Sequence, residues 1–324
     1  MKTGGDGPPT SSTSAPVKAP SLSEEEARRI VKDLTGKYAA GGSDTEYWKG
    51  ITEGPLREQA LAVLETSRKY GTKDEARPTN SPATDPAVRT WTTGKDDGSE
   101  RWILGAHEIQ GYTVGDASNK VELRWSLYHQ QRPGAPWLTA FIANAPETTA
   151  LPQVAVGPDG RALSGGDTAG LAADPATVCG QHGDYLNTDA GAGGVKWSQD
   201  VTKTKEALAG SLTRIREEVG KGGKVDIGID VNRTPHGPVW RTTDGGALVA
   251  CTTVNKVYKE LAPGTSATFS TSGWAGTTGI PWASYTQRIM NLTVLKIPTG
   301  ASGEVSVAAS SRLPYSFEGT KHTG

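Results

Sequence analysis

Between residues 121 and 128 apolar and polar side chains alternate, with Val121, Leu123, Trp125 and Leu127 on one side and Glu122, Arg124, Ser126 and Tyr128 on the other. A period of two is the repeat of a β-strand, and one apolar face marks a strand that covers a core on one side and is wetter on the other. The repeat returns at Val225, Ile227, Ile229 and Val231, interleaved with Asp226, Gly228 and Asp230. Turn residues separate such runs. Gly94-Lys95-Asp96-Asp97-Gly98 parts 88–92 from 101–109, Arg132-Pro133-Gly134-Ala135-Pro136 parts 121–128 from 137–142, and Asp244-Gly245-Gly246 parts 239–243 from 247–254. Each reads as a hairpin, so the strands are expected to pair antiparallel. A last pair is predicted over 265–271 and 288–297, with 305–310 as an edge.

Helical spacing precedes each set of strands. Ser23 followed by Glu26 forms a capping box, and Ala27, Ile30, Val31 and Leu34 make one stripe, which predicts a helix over 23–36. Pro55 in a first turn and Leu56, Ala60, Leu61, Val63 and Leu64 behind it predict a second, ending near Tyr70-Gly71. Val201, Leu208, Leu212, Ile215 and Val219 mark a third, closed by Gly220. Helices followed by runs of strands argue for an α+β fold. Because the order occurs twice and 157–170 is rich in Gly and Asp, two tandem domains are expected, 22–166 and 167–318, each with helices packed on a curved antiparallel sheet. Residues 1–21 are dominated by Gly, Ser, Thr, Pro, Ala and Lys and are expected to form a disordered tether, with 319–324 as a tail.

The 34 basic and 35 acidic residues balance and form no long run of one sign, which argues against a nucleic-acid partner. No stretch reaches the ~18 apolar residues that cross a bilayer. Two cysteines, Cys179 and Cys251, suggest a disulfide; two buried thiols in a cytosolic protein are the alternative. If bonded, they close a loop that stabilises the fold by about 4 kcal/mol on the chain-entropy account. Cys179-Gly180-Gln181-His182 has ligand-like spacing, but no His stands near Cys251 in sequence to complete a four-ligand site, so neither metal nor cofactor is expected.

Several segments resemble a family of uncharacterised lipoproteins of Streptomyces and related actinobacteria that carry a domain of unknown function. They are Leu22-Ser23-Glu24-Glu25-Glu26-Ala27-Arg28-Arg29-Ile30, Ala135-Pro136-Trp137, Leu151-Pro152-Gln153-Val154-Ala155-Val156 with Gly157-Pro158-Asp159-Gly160, and Val239-Trp240-Arg241-Thr242-Thr243-Asp244-Gly245-Gly246-Ala247-Leu248-Val249. The resemblance implies a lipid-modified Cys that anchors the mature protein at the outer face of the cytoplasmic membrane. This chain has no Cys before 179, so its membrane contact is expected only through an anchor that it does not itself carry. The resemblance also implies a cone-shaped fold like that of nuclear transport factor two, or a cystatin-like one, in each half. It supplies no catalytic residues.

Candidate chemistry is sparse. Cone folds hold small ligands in the mouth of the sheet, where Asp230 with His236 in the second half, or His107 with Glu108 in the first, could act as acid and base. His107 and Glu108 are strand neighbours and point to opposite faces, so that pair reads as structural. His129, beside Gln130 and Gln131, reads as a solvated loop residue. No Gly-x-Ser-x-Gly elbow, His-Glu-x-x-His pair or phosphate-cradling loop occurs, and Gly191-Ala192-Gly193-Gly194 reads as linker. Trp91, Trp102, Trp125, Trp137 and Trp240 fall in predicted strands as core residues, whereas Trp274 and Trp282 fall in a loop-like stretch that either offers rings to a ligand or folds back on the second core. The expectation is a non-enzymatic extracytoplasmic lipoprotein that binds a small ligand or an envelope protein. The alternative is a cone-fold enzyme acting on a small hydrophobic molecule.

Overall fold

A computed structural model describes residues 22–70, 88–94, 100–110, 121–145, 153–165, 168–187, 194–269 and 277–323. The expected tether, the boundary at Asp167 and Trp274 lie outside the described residues. The first half supplies α1 (Glu24–Ala40), α2 (Thr45–Ile51), α3 (Gly54–Tyr70), β1 (Val88–Gly94), β2 (Arg101–Gln110), β3 (Val121–Gln130) and β4 (Leu138–Ala145). The second supplies α4 (Val178–Asn187), α5 (Gln199–Glu218), β5 (Lys224–Val231), β6 (His236–Arg241), β7 (Ala247–Glu260), β8 (Trp282–Ile297) and β9 (Ser306–Lys321).

α1 starts where its cap is written: Ser23 accepts a hydrogen bond from the Glu26 amide at 3.1 Å, and three glutamates follow at the positive end of the helix dipole. Ser23→Ala is expected to cost about 1 kcal/mol of stability, measurable as a fall in urea midpoint at unchanged m-value. The predicted helices at 54–70 and near 201–219 form as α3 and α5. α2 and α4 are additional, and β9 runs on to Lys321, past the expected limit at 318.

The fold is α+β with one antiparallel nine-stranded sheet in the order β1-β2-β3-β4-β9-β8-β7-β5, with β6 also on β7. β5 pairs with Thr253–Glu260 of β7 and β6 with Ala247–Ala250, so the two follow one another along the same edge of that strand. The three predicted hairpins form as β1–β2, β3–β4 and β6–β7. The sequence-based division into two separate curved sheets differs from this. β4 pairs antiparallel with β9 at Asn144 and Ser310, and the Asn144 amide donates to Ser311 Oγ at 3.2 Å, which carries one sheet through both halves. Beyond that point the free edge of β9 is covered by side chains of α3: Gln59 donates to the Pro314 carbonyl at 2.6 Å, while Thr66 and Tyr70 hydroxyls accept from the Phe317 and Gly319 amides. An open edge is thereby closed to stray strands.

Residues 153–165 bring the two ends of the sheet together. The Ala162 amide donates to the Thr92 carbonyl of β1 at 2.9 Å, and on the other side Arg241 and Gly165 amides tie 163–165 to β6. Inside lies an apolar core shared by both halves, with Leu104, Trp125, Leu127, Phe141, Trp240, Leu248, Met290 and Leu292. It is packed nearly solid, since the space left among its side chains is about 10 Å³, at the lower limit for one water. The alternate side chains are also buried. Ile103 and Tyr128 meet α1, α2 and α3 through Val31, Trp48 and Leu64, and Val249, Cys251, Leu295 and Ile297 meet the layer that holds α4 and α5. The second face of β3 is therefore not the wetter one: Arg124, Ser126 and Tyr128 are buried beneath helices.

Cys179 of α4 and Cys251 of β7 form the disulfide, with their Cα atoms 5.3 Å apart. α4 lies close enough to β5 that a Cβ on Gly183 would collide with the Val231 side chain, which explains a glycine inside that helix. Among the described residues no helix is long and apolar enough to cross a membrane.

Candidate functional site

A groove of about 400 Å³ lies at the outer edge of β1. Leu22 and Glu24 at the start of α1 make one wall, Gln153, Val154 and Val156 of the crossing segment the other, and Arg89, Thr90, Trp91 and Thr92 the floor. Among the described strands β1 pairs with β2 alone, which leaves its other edge toward the groove. In an antiparallel strand both backbone groups of a residue point to one edge and those of the next to the other. Thr92 turns its carbonyl outward to Ala162, so Thr90, two residues earlier, turns its N–H and C=O the same way, into the groove. No described residue pairs with them, and the Thr90 hydroxyl is likewise buried without a partner among the described residues. Buried polar groups are almost always paired, so the Thr90 hydroxyl is an unmet demand, and the outward N–H and C=O beside it add a donor and an acceptor at the same place. Beside them Val156 and Leu163 are the large apolar side chains most exposed, at 52% and 47%.

The residues singled out from sequence do not converge here. Asp230 is exposed on β5, opposite Val254, whereas His236 is half-buried on β6, 3.3 Å from Asn232 and against the Phe141 ring. Burial pulls the His236 pKa down. His107 and Glu108 point to opposite faces as expected. His107 is 1% exposed under α1, and burial, helped by the Arg124 charge, lowers its pKa to about 3. It is a neutral core residue.

Trp282 corrects the reading that offered its ring to a ligand. It is fully buried, its N–H bonds the Thr277 carbonyl at 3.2 Å, and its ring packs edge-on to Tyr70 and Phe317. The cause is that β8 begins at Trp282 itself, six residues before the apolar run that announced the strand. Trp125 and Trp240 are core residues as expected, although their indole N–H groups lack an acceptor among the described residues.

His129 is no loop residue. It is the penultimate residue of β3, with Nδ1 2.6 Å from Glu53 Oε1, Nε2 3.1 Å from Glu100 Oε2, and its ring stacked on Trp102 at 4.1 Å. Burial lowers its pKa, but the two carboxylates outweigh burial and the net direction is upward. The carboxylates face opposite nitrogens, an arrangement that holds a proton rather than a metal. No group of three or more His, Cys, Asp or Glu among the described residues could hold a metal ion.

No curated protein and no solved structure matches the chain. A family model described as a domain of unknown function, DUF8094, matches residues 18–314. Spanning nearly the whole of both helix-and-strand halves in a single match, it assigns the chain to one family: this protein belongs to the DUF8094 domain family.

Proposed function

We propose that this protein is an extracytoplasmic, non-enzymatic binding protein that captures an extended polypeptide segment along the open edge of β1. The observation that carries the reading is Thr90, whose outward N–H, C=O and buried hydroxyl lack partners among the described residues, in the floor of a groove that could admit a strand. Adding a strand to a sheet edge satisfies backbone groups by main-chain hydrogen bonds, and side chains of the incoming segment would find Leu22, Val154 and Val156 along the walls. A packed interior, and the placing of Asp230 opposite Val254 and His236 opposite Ala250 on β7, favour a binder over an enzyme with an enclosed pocket.

A disulfide forms and persists where thiols are oxidised, which supports a place outside the cytoplasm. In this reading the protein is an actinobacterial envelope lipoprotein held at the outer face of the cytoplasmic membrane by a lipid anchor of its precursor. Its partner is a protein of the envelope. Placing a photo-crosslinking amino acid at exposed Val156 in cells is expected to give one discrete adduct, identified by mass spectrometry, and the same probe at Lys203 on exposed α5 none. Equal labelling from both positions would refute the groove as the binding surface.

A further inference from the structure

We infer that His129 is a proton-operated clasp: protonated, it joins the α2–α3 junction to the turn end of the β1–β2 hairpin, and neutral, it releases that end. The imidazole lies between carboxylates from two separate elements. Glu53 is in the two-residue link between α2 and α3 and 76 positions away in sequence; Glu100 stands immediately before β2. An imidazolium carries two N–H donors and satisfies both carboxylates, whereas neutral imidazole carries one and must turn a lone pair towards the other. Glu53 is the nearer and more buried, with 21% of its side chain exposed against 61% for Glu100. The remaining N–H of the neutral ring therefore stays on Nδ1 with Glu53, and Glu100 swings to solvent.

Of the neighbouring cations, Arg57 donates to the Thr52 and Lys49 carbonyls and Arg101 to Gln130. On the far side, Trp102, which carries the stacked imidazole, fits against Gly237 of β6, where φ is 72° and a Cβ would meet the indole at 3.0 Å. His236 adjoins that glycine and is bonded to Asn232 rather than to the clasp. The clasp thus stands where the helices, the β1–β2 hairpin and β6 meet. Its sign follows from the raised folded-state pKa: the fastening is complete below the unfolded value of about 6.5 and is lost as pH rises through the folded value.

Two NMR experiments on the intact protein decide the matter. The His129 ring should titrate above about 6.5, and Glu100→Gln, a surface change, should lower that midpoint. Hydrogen exchange of the Arg101 to Ile103 amides, corrected for intrinsic rates, should lose roughly two- to fivefold protection as pH rises through the same midpoint, the factor an ion pair of this exposure carries. In Glu100→Gln this step should vanish. A ring that titrates at or below about 6.5, or protection that is the same on both sides of the midpoint, would overturn the clasp.

Discussion

Replacing both bonded cysteines, as C179A/C251A, is expected to lower the unfolding free energy by about 4 kcal/mol. The bond spans 72 positions, so its loss returns a long loop to the unfolded chain. It also unpins α4 from the centre of β7, where both sulfurs are buried among Val178, Val201, Val249 and Leu295. Alanine avoids burying a hydroxyl in that apolar layer, so the measured loss is not inflated by an unpaired polar group. Urea unfolding of the oxidised wild type and the double variant gives the number. A difference under about 1 kcal/mol would mean that strain in the native state offsets the chain entropy.

Trp282→Ala is expected to cost about 3–5 kcal/mol. Nothing of the ring reaches solvent; it fills the space between Tyr70 at the end of α3, Phe317 and the backbone of Gly319, and its N–H donates to the Thr277 carbonyl. Truncation leaves a cavity that stiff strands on either side cannot close. Equilibrium unfolding is again the measurement. A loss below about 1 kcal/mol would return Trp282 to the surface role that its loop-like sequence context suggests.

What the sequence made legible was local. The Ser23 cap, the stripe of α1 and the Asp244-Gly245-Gly246 turn each depend on residues a few positions apart, and each forms as read. The disulfide was legible for a different reason, because two cysteines admit one pairing. α4 was hidden by its own composition: Val178–Asn187 includes two glycines, and only tertiary crowding against Val231 explains one of them. Alternation in β3 separated its two faces correctly but gave no sign that the polar face would be buried, since that depends on where α1 lands. Nor does any strand carry a mark of which edge it will meet, so the union of β4 with β9 was beyond a reading by period.

The candidate site was illegible for the same reason. Thr90 is an ordinary strand threonine until Thr92 is seen bonded to Ala162, and His129 is an ordinary strand end until Glu53 and Glu100 arrive from 76 and 29 positions away. The segment Gln153–Val156 belongs to a stretch that resembles the family, and the structure makes it a wall of the groove. Asp230 and His236 were near in sequence and are held apart by the four residues between β5 and β6.

The most direct test of the β1 edge is Thr90→Pro, combined with the photo-crosslinker at Val156. Proline is tolerated on an edge strand where the lost N–H faces outward, so thermal melting should remain close to that of the parent. The substitution removes the donor that an incoming strand would use. The account predicts that the crosslinked adduct disappears while the fold persists; an adduct of undiminished yield from a fully folded Thr90→Pro protein would contradict it.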